Sequence, residues 1–456
     1  MTKKSACKNI LIVNPWIVDF KAFDFWIKPL GLLYIASILK KNHYNINLID
    51  CIDRHHPSVE GKTRFRPDGT GKFYDTRIDK PAFYRDIPRR YKRYGLPIDT
   101  FRKELERIPA PDVILVTSVM TYWYPGAHLA IEILKRRFPE TPVMLGGIYP
   151  TLCPDFAEKK SGADIVISKF NIADFLEIIG DITGTTPDFI PNGFPEFPYP
   201  AFQLYEKISY GTILTSMGCP FNCSYCASKR LYPGFIQRNP QDVADEIIYM
   251  ADNFNIDKFA FYDDALLVNA GSHLIPMLER ILNSGKKLRF FTPNGLHARF
   301  ITPEVASLMC KTGFEDIRLS LETSDEEMLR KTGGKVTAGE LTGALNRLEK
   351  AGYNSGDIAI YIMMGLPGQT VEECNRTLDF IHNARAQVRL SNYSPVPGTA
   401  DFENLRGSYG DKPDNPLFHN NTYHHYKGPG MSFEEREYLK KRSFKLNSKI
   451  LNRTSV

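Results

Sequence analysis

The sequence predicts an α/β protein in two parts: a doubly wound parallel sheet, then a partial (β/α)6 barrel. Three observations carry the prediction. Short apolar runs alternate with stretches whose apolar residues recur at helical spacing, first over residues 9–168 and again over 211–398. A proline-rich segment, FIPNGFPEFPYPAF (189–202), separates the two series and favours extended chain. Three of the eight cysteines, Cys219, Cys223 and Cys226, crowd one loop directly after the first strand of the second series.

In the first series, NILIVNP is a buried strand ending in a loop, PLGLLYIASILKKNHY a helix and NINLID (45–50) a second strand. Together they form a β-α-β unit. PDVILVTSV (111–119) supplies the third strand, GAHLAIEILKRRFP (126–139) a helix, TPVMLGG (141–147) the fourth strand and ADIVIS (163–168) the fifth. Such a sheet takes its ligand at the carboxyl ends of the strands, in the loops after Pro15, Asp50, Ser118 and Gly147. The polar, basic stretch at about 55–109 is too long for an ordinary connection, and predicts an excursion with its own short helices.

In the second series, GTILTSM (211–217), DKFAFYDD (257–264), LRFFTPNG (288–295), DIRLSLE (316–322), DIAIYIMMGLPG (357–368) and VRLSNYSPVPG (388–398) are strands with a helical stretch between each pair. Six such steps fit a partial barrel with its active residues at the strands' carboxyl ends. The expected domains are therefore 1–188, a linker at 189–204, the barrel at 205–400 and a C-terminal cap at 401–456.

Composition narrows the class. With 456 residues, 43% of them hydrophobic, the chain can bury two to three cores. No run approaches the ~18 apolar residues of a membrane span, and the opening MTKKSACKNILIVNPW lacks a signal-peptide pattern, so a cytoplasmic protein is expected. Cys7, Cys51, Cys153, Cys310 and Cys374 stand singly, as free thiols do in a reducing compartment. The net charge of +6 is small for this length; a small-molecule substrate is expected, and no nucleic acid.

The loop MGCPFNCSYCASKR (217–230) offers three thiolates and no fourth cysteine or histidine close by in sequence; His297 and Cys310 stand on other elements. Four protein ligands would close a zinc site or an ordinary ferredoxin cluster. Three leave a position open. An iron-sulfur cluster with one free iron fits that pattern, and a zinc site with a remote fourth ligand is the alternative.

C-x-x-x-C-x-x-C with Tyr225 directly before the third cysteine resembles the signature of the radical S-adenosylmethionine superfamily. The resemblance implies a 4Fe-4S cluster on Cys219, Cys223 and Cys226 whose fourth iron binds S-adenosylmethionine, with release of a 5′-deoxyadenosyl radical on reduction. It also implies an electron donor such as flavodoxin or ferredoxin. FYDDALL places Asp263 and Asp264 where the family puts groups near the methionine ammonium, although the usual Gly-Gly-Glu is absent. RLSLETSDEEML is similar to the fourth-strand pattern, which puts Glu322 near the ribose. Arg238 falls where related enzymes place a base for the methionine carboxylate. IMMGLPGQT resembles the adenine-packing motif, with Gly365, Pro367 and Gly368 allowing close approach, and SPVPGT (394–399) resembles the sixth-strand ending.

Ahead of the barrel, ILIVNP, KPLGLLYIASILKKNHYNINLID, VTSVMTYWYPGAHLAIEILKRRFP and VMLGGIYPTLCPD resemble the cobalamin-binding domain of that superfamily's cobalamin-dependent class. The resemblance assigns Gly146, Gly147, Tyr149 and Thr151 to the loop around the nucleotide tail, and Ser118, Thr121 and Tyr122 to its neighbour. Two departures stand out. The D-x-H-x-x-G motif is absent, which implies cobalt with water or no lower ligand, and SKFNIADF replaces Gly-Glu-Gly-Glu, so Lys169 and Asn171 would crowd a ligand there. The implied reaction is methyl transfer to an unactivated carbon or phosphorus. Without cobalamin, the same barrel would carry out a radical rearrangement, cyclisation or oxidation. A cluster-bearing relay protein without turnover is the remaining alternative.

Overall fold

The computed structural model describes residues 7–454. The first six residues, on which part of the reading of the N-terminus rests, lie outside that range. Two compact units emerge, one of residues 1–208 with 411–418, the other of 209–410 with 419–456.

In the first unit, β1 (Asn9–Asn14), β2 (Asn45–Asp50), β3 (Val113–Val116), β4 (Val143–Leu145) and β5 (Ile165–Val166) form one sheet in the order β5-β4-β3-β1-β2. Every pairing is parallel. Successive side chains of β1 serve opposite faces. Leu11 and Val13 join a core with Phe101, Ala127 and Leu134, whereas Ile10 and Ile12 pack with Ala36, Ile38 and Phe175. Helices therefore cover both faces, as the continuous apolar runs require. The strand order reverses between β1 and β3, and that switch point lies where Asn14 and Ser118 leave the sheet.

The excursion has the short helices expected of it, Pro57–Val59, Ala82–Tyr84 and Ile98–Arg107, and adds strands that were not expected. Tyr91–Tyr94 pairs antiparallel with Asp75–Ile78 on one side and with Ile17–Asp19, from the loop after β1, on the other. Its base is a buried ion pair in which Arg54 meets Asp24 at 2.6 Å. The helix Ile98–Arg107 then returns to the main sheet, burying Phe101 and Leu105. Strand pairing with Ile17–Asp19 is a long-range contact that local periodicity does not encode.

In the second unit, β6 (Gly211–Ile213), β7 (Lys258–Phe261) and β8 (Arg289–Phe291) form one parallel arc. β9 (Leu296–His297), β10 (Ile317–Glu322), β11 (Ile358–Met364) and β12 (Gln387–Asn392) form a second. A single parallel bridge between Phe290 and Phe314 links the arcs. Phe261 stacks on Phe314 at 5.7 Å there, filling the seam. The result is the partial barrel that six strand-helix steps predict.

The C-terminal tail is not one separate cap. Residues 411–418 group with the first unit, while the helix Phe433–Thr454 lies along the edge strand β12. Asn447 accepts from Val388 N–H at 2.7 Å and donates to its carbonyl at 2.8 Å, so one side chain satisfies backbone that the open edge would leave bare.

Candidate active site

The cysteine loop is shaped by a carboxylate on the neighbouring strand. Asp263, just past β7 and 4% exposed, accepts from the amides of Thr215 and Ser216 and from both hydroxyls, at 2.6 to 3.1 Å. These donors cannot also serve a sheet neighbour. The run GTILTSM, which reads as one strand, therefore stops at Ile213, and Ser216–Gly218 turns to pair antiparallel with Phe235–Gln237. Gly218 sits at φ +83°, where a Cβ would strike the carbonyl of Gly234. Asp263 is thus spent on the fold rather than aimed at a ligand. Asp264 is the carboxylate on the cysteine side, accepting from Ser228 Oγ at 2.5 Å.

Several elements hold the loop. Ser224 N–H donates to Thr332 O at 3.3 Å, Asp401 N–H donates to Ser224 O at 3.0 Å, and Phe221 stacks on His297 at 4.2 Å. Gly333, at φ +102°, lets its backbone approach Asn222 and Cys223. Burial pushes the Cys226 thiol up to about 11, with Asp264 and Cys223 adding to the rise and Lys335 opposing it. Cys219 is raised by the same surroundings, burial first. Among the described residues, no three His, Cys, Asp or Glu side chains gather closely enough for a single metal ion. Cys219 and Cys226 both lie within electrostatic reach of Cys223, Asp264 and Lys335, and a donor set of three thiolates suits an iron-sulfur cluster with one open iron.

Glu322 ends β10 at φ +67°, after a register shift beyond Ser320. Such a backbone is strained for a side-chain-bearing residue and marks functional sites. The carboxylate is 6% exposed and lies 3.3 Å from Lys335 Nζ. Burial disfavours the lysine's charge, but Glu322 and the Cys223 thiol outweigh it, so its pKa stands above the ordinary range. Sequence reasoning missed Lys335. The available signal was the pair Gly333 and Gly334, both at positive φ, which fold the chain back after the helix Glu326–Lys331. The Tyr225 phenol is pushed far up by burial, then by Glu322 and by Cys223 beside it.

Arg238 does not reach the site. It is 3% exposed, with Nη2 2.6 Å from Glu246 Oε2 and Nη1 donating to Leu214 O at 3.2 Å. Two buried groups of opposite charge that close are committed to each other. Gly365 lies at φ +86°, and a Cβ there would strike the Arg436 guanidinium of the C-terminal helix. Gln369 Oε1 accepts from Gly365 and Leu366 N–H at 2.8 and 3.2 Å, fixing the loop that holds half-buried Pro367.

At the ligand edge of the first unit, Asn14, Pro15, Trp16, Ile17, Ile27, Pro29, Ile52, Ser118, Val119 and Trp123 line a cavity at the switch point. Of the four residues assigned to the loop around the nucleotide tail and the three assigned to its neighbour, only Ser118, from the neighbour, lines it. Gly147, at φ +99°, is required by the backbone of Ser118, and Thr151 Oγ1 donates to Gly147 O at 2.9 Å. Around Gly146 a Cβ would meet only Ile167, at 4.0 Å, so that backbone is open. Thr121 and Tyr122 are buried beside Ser118, and burial holds the Tyr122 phenol well above its usual range. Tyr149 is a core residue, fully buried, with its hydroxyl 3.0 Å from His128 Nε2. Asn171 caps the helix Ile172–Thr183, accepting from Ala173 and Asp174 N–H, which accounts for a polar residue where a glycine was expected.

Residues 213–381 match the model of the Radical SAM superfamily. The chain carries a radical S-adenosylmethionine domain and is an enzyme. It is 21% identical to the cytidylyl-2-hydroxyethylphosphonate methyltransferase of Streptomyces wedmorensis, over 86% of this chain and 80% of that protein. An uncharacterized methyltransferase of Pyrococcus horikoshii is also 21% identical, over 82% and 78%. Among solved structures, the radical S-adenosylmethionine methyltransferase TsrM from Kitasatospora setae, with cobalamin and a [4Fe-4S] cluster bound, matches with a TM-score of 0.66 at 15% identity, over 96% of this chain and 89% of that one. The cobalamin-dependent radical enzyme OxsB with aqua-cobalamin matches with a TM-score of 0.55 at 14% identity, over 90% and 56%. The fold is theirs, a doubly wound sheet ahead of a radical S-adenosylmethionine barrel. Among the described residues, no helix is long and apolar enough to cross a membrane.

Proposed function

We propose that the chain is a cobalamin-dependent radical S-adenosylmethionine methyltransferase that methylates an unactivated carbon or phosphorus of a small molecule. The observation that carries this reading is the three-thiol loop with Asp264, Glu322 and Lys335 gathered around it. Cys219, Cys223 and Cys226 would hold the cluster. Bound there with S-adenosylmethionine, it supplies one-electron cleavage to a 5′-deoxyadenosyl radical. Asp264 is placed to take an ammonium group. Glu322 would accept from the ribose hydroxyls, and the Lys335 cation would pair with a carboxylate. Tyr225, neutral at every working pH, offers a hydroxyl without adding charge. The loop from Gly365 to Gly368 gives adenine a flat backbone surface, held still by Gln369.

The tryptophan, isoleucine and proline side chains around the small switch-point cavity would give a macrocycle an apolar floor to lie on rather than a pocket to enter, and the open backbone at Gly146 suits a tail. The residues lining it are apolar or uncharged, so they would hold the group by shape and packing rather than by charge. When bound, cobalamin supplies the methyl group. We place the protein in the cytoplasm, a reading supported by the five cysteines outside the loop, which stand singly as free thiols. The electron would come from a separate protein such as flavodoxin or ferredoxin. Anaerobic reconstitution tests the proposal. The protein should retain cobalamin, read by its corrin absorbance, and release 5′-deoxyadenosine with dithionite. Deoxyadenosine release by a protein that takes up no cobalamin would favour the rearrangement or oxidation reading instead.

A further inference from the structure

The segment that follows Cys226 is unusually bare. Residues 227–239 carry Lys229, Arg230 and Arg238 and no acidic residue. Arg238 is neutralised by Glu246, but Lys229 and Arg230 are exposed, and neither joins an ion pair among the described residues. The Arg230 stem rests on Gly398, which leaves its guanidinium at the surface. Beside these cations, Tyr232 is 36% and Ile236 46% exposed. Two exposed cations and two exposed apolar side chains in one short segment give an acidic partner both charge and apolar area to cover. Asp264 also lies near the Tyr232 phenol, with its carboxylate accepting from Ser228 Oγ.

The face is wired to the cysteine loop. Phe235–Gln237 pairs with Ser216–Gly218 so that Ile236 stands opposite Met217, two residues before Cys219. Lys229 follows Cys226 by three residues, which spans at most about 11 Å of chain. We propose that Lys229, Arg230, Tyr232 and Ile236 form the docking surface for a small acidic one-electron carrier protein. The inference rests on the proposed function, which consumes an electron at that loop. The other five cysteines stand singly, so the chain offers no second cysteine cluster to relay it. In the transfer, the carrier is oxidised by one electron and the cluster reduced by one, and no atom crosses. A small basic and apolar face suits such brief encounters, where charge sets the rate of association and little area is buried.

The test titrates oxidised flavodoxin, an acidic carrier, onto the reconstituted full chain, and then compares deoxyadenosine release driven by reduced flavodoxin or by dithionite. Lys229→Glu/Arg230→Glu should weaken flavodoxin binding at least tenfold and raise the flavodoxin concentration for half-maximal release by a similar factor, leaving dithionite-driven release unchanged. Ile236→Ser, which leaves the charges in place, should weaken binding a few-fold. Raising the salt should weaken binding to the unaltered protein and have little effect on the double variant. Unchanged flavodoxin binding in both variants would overturn the proposal, as would equal loss with both reductants. A variant-dependent change in the sedimentation of the protein alone would assign the face to a second copy and overturn it too. No release from the unaltered protein with dithionite would instead strike at the parent reading, while the binding titration would still judge the surface.

Discussion

Asp263 and Asp50 are two buried carboxylates at the carboxyl ends of parallel strands, and they shape very different surroundings. Asp263 gathers the backbone and hydroxyls of Thr215 and Ser216 and so launches a loop whose own side chains are the reagents. Asp50 accepts from Asn14 Nδ2 at 2.7 Å, the Tyr205 hydroxyl at 2.6 Å and Ile52 N–H at 3.0 Å, and so steadies an edge whose cavity is walled by Trp16, Ile17, Ile52 and Trp123. Burial raises the pKa of both carboxyls, and hydrogen bonds to the charged form oppose the rise in each. The barrel end carries its chemistry in sulfur and charge. The sheet end carries it in shape.

Ways to break that contrast rank by size. Cys223→Ala should remove the cluster and all deoxyadenosine release, read by iron content and product analysis, while cobalamin uptake persists. Val119→Trp, which fills the switch-point cavity, should do the reverse: corrin absorbance falls at least tenfold and deoxyadenosine release survives. Equal loss of both cofactors in either variant would erase the distinction between the two ends.

A smaller effect separates the two carboxylates. Asp263→Ala strands two amides and two hydroxyls, which costs about 3 kcal/mol, so thermal unfolding of the barrel should fall and cluster loading with it. Asp50→Ala should lower stability by a similar or smaller amount without changing iron content. Glu322→Gln, which removes the charge facing Lys335, should weaken S-adenosylmethionine binding about tenfold, or ~1.4 kcal/mol, with the cluster intact.

The smallest effect is on acid stability. Burial lowers the His297 pKa to about 3, with the nearby cations Lys335 and Arg299 adding to it, against an ordinary 6.5. The unfolded chain takes up that proton first as the pH falls. His297 therefore contributes its full stability above pH 6.5 and loses it progressively as the pH falls toward 3. His297→Gln should flatten the decline in denaturation midpoint between pH 6.5 and 4, and a parallel decline in both proteins would refute the assignment.

The same contrast explains what the chain discloses before it is folded. The alternation of apolar runs sets out both sheets, because strands buried on two faces must be continuously apolar. The cysteine loop is legible because thiolates at fixed spacing are rare and chemically specific. Lys335 was hidden because two glycines, not a periodic pattern, bring it back to the loop. Arg238 and Asp263 misled for the opposite reason: their residue types suit a ligand, and only the fold reveals that Glu246 and the amides of Thr215 and Ser216 have claimed them. At the sheet end Tyr149 looks like a loop residue in sequence, yet its ring fills the core beside Tyr124 and Phe156. Asn171 looked like an obstruction and is a helix cap.

The most direct test of the account is electron paramagnetic resonance of the reduced, reconstituted protein before and after S-adenosylmethionine is added. Three thiolates with an open fourth position predict a [4Fe-4S]+ signal whose g-values shift when the ligand binds. A fully loaded cluster whose signal does not change at saturating S-adenosylmethionine would contradict it.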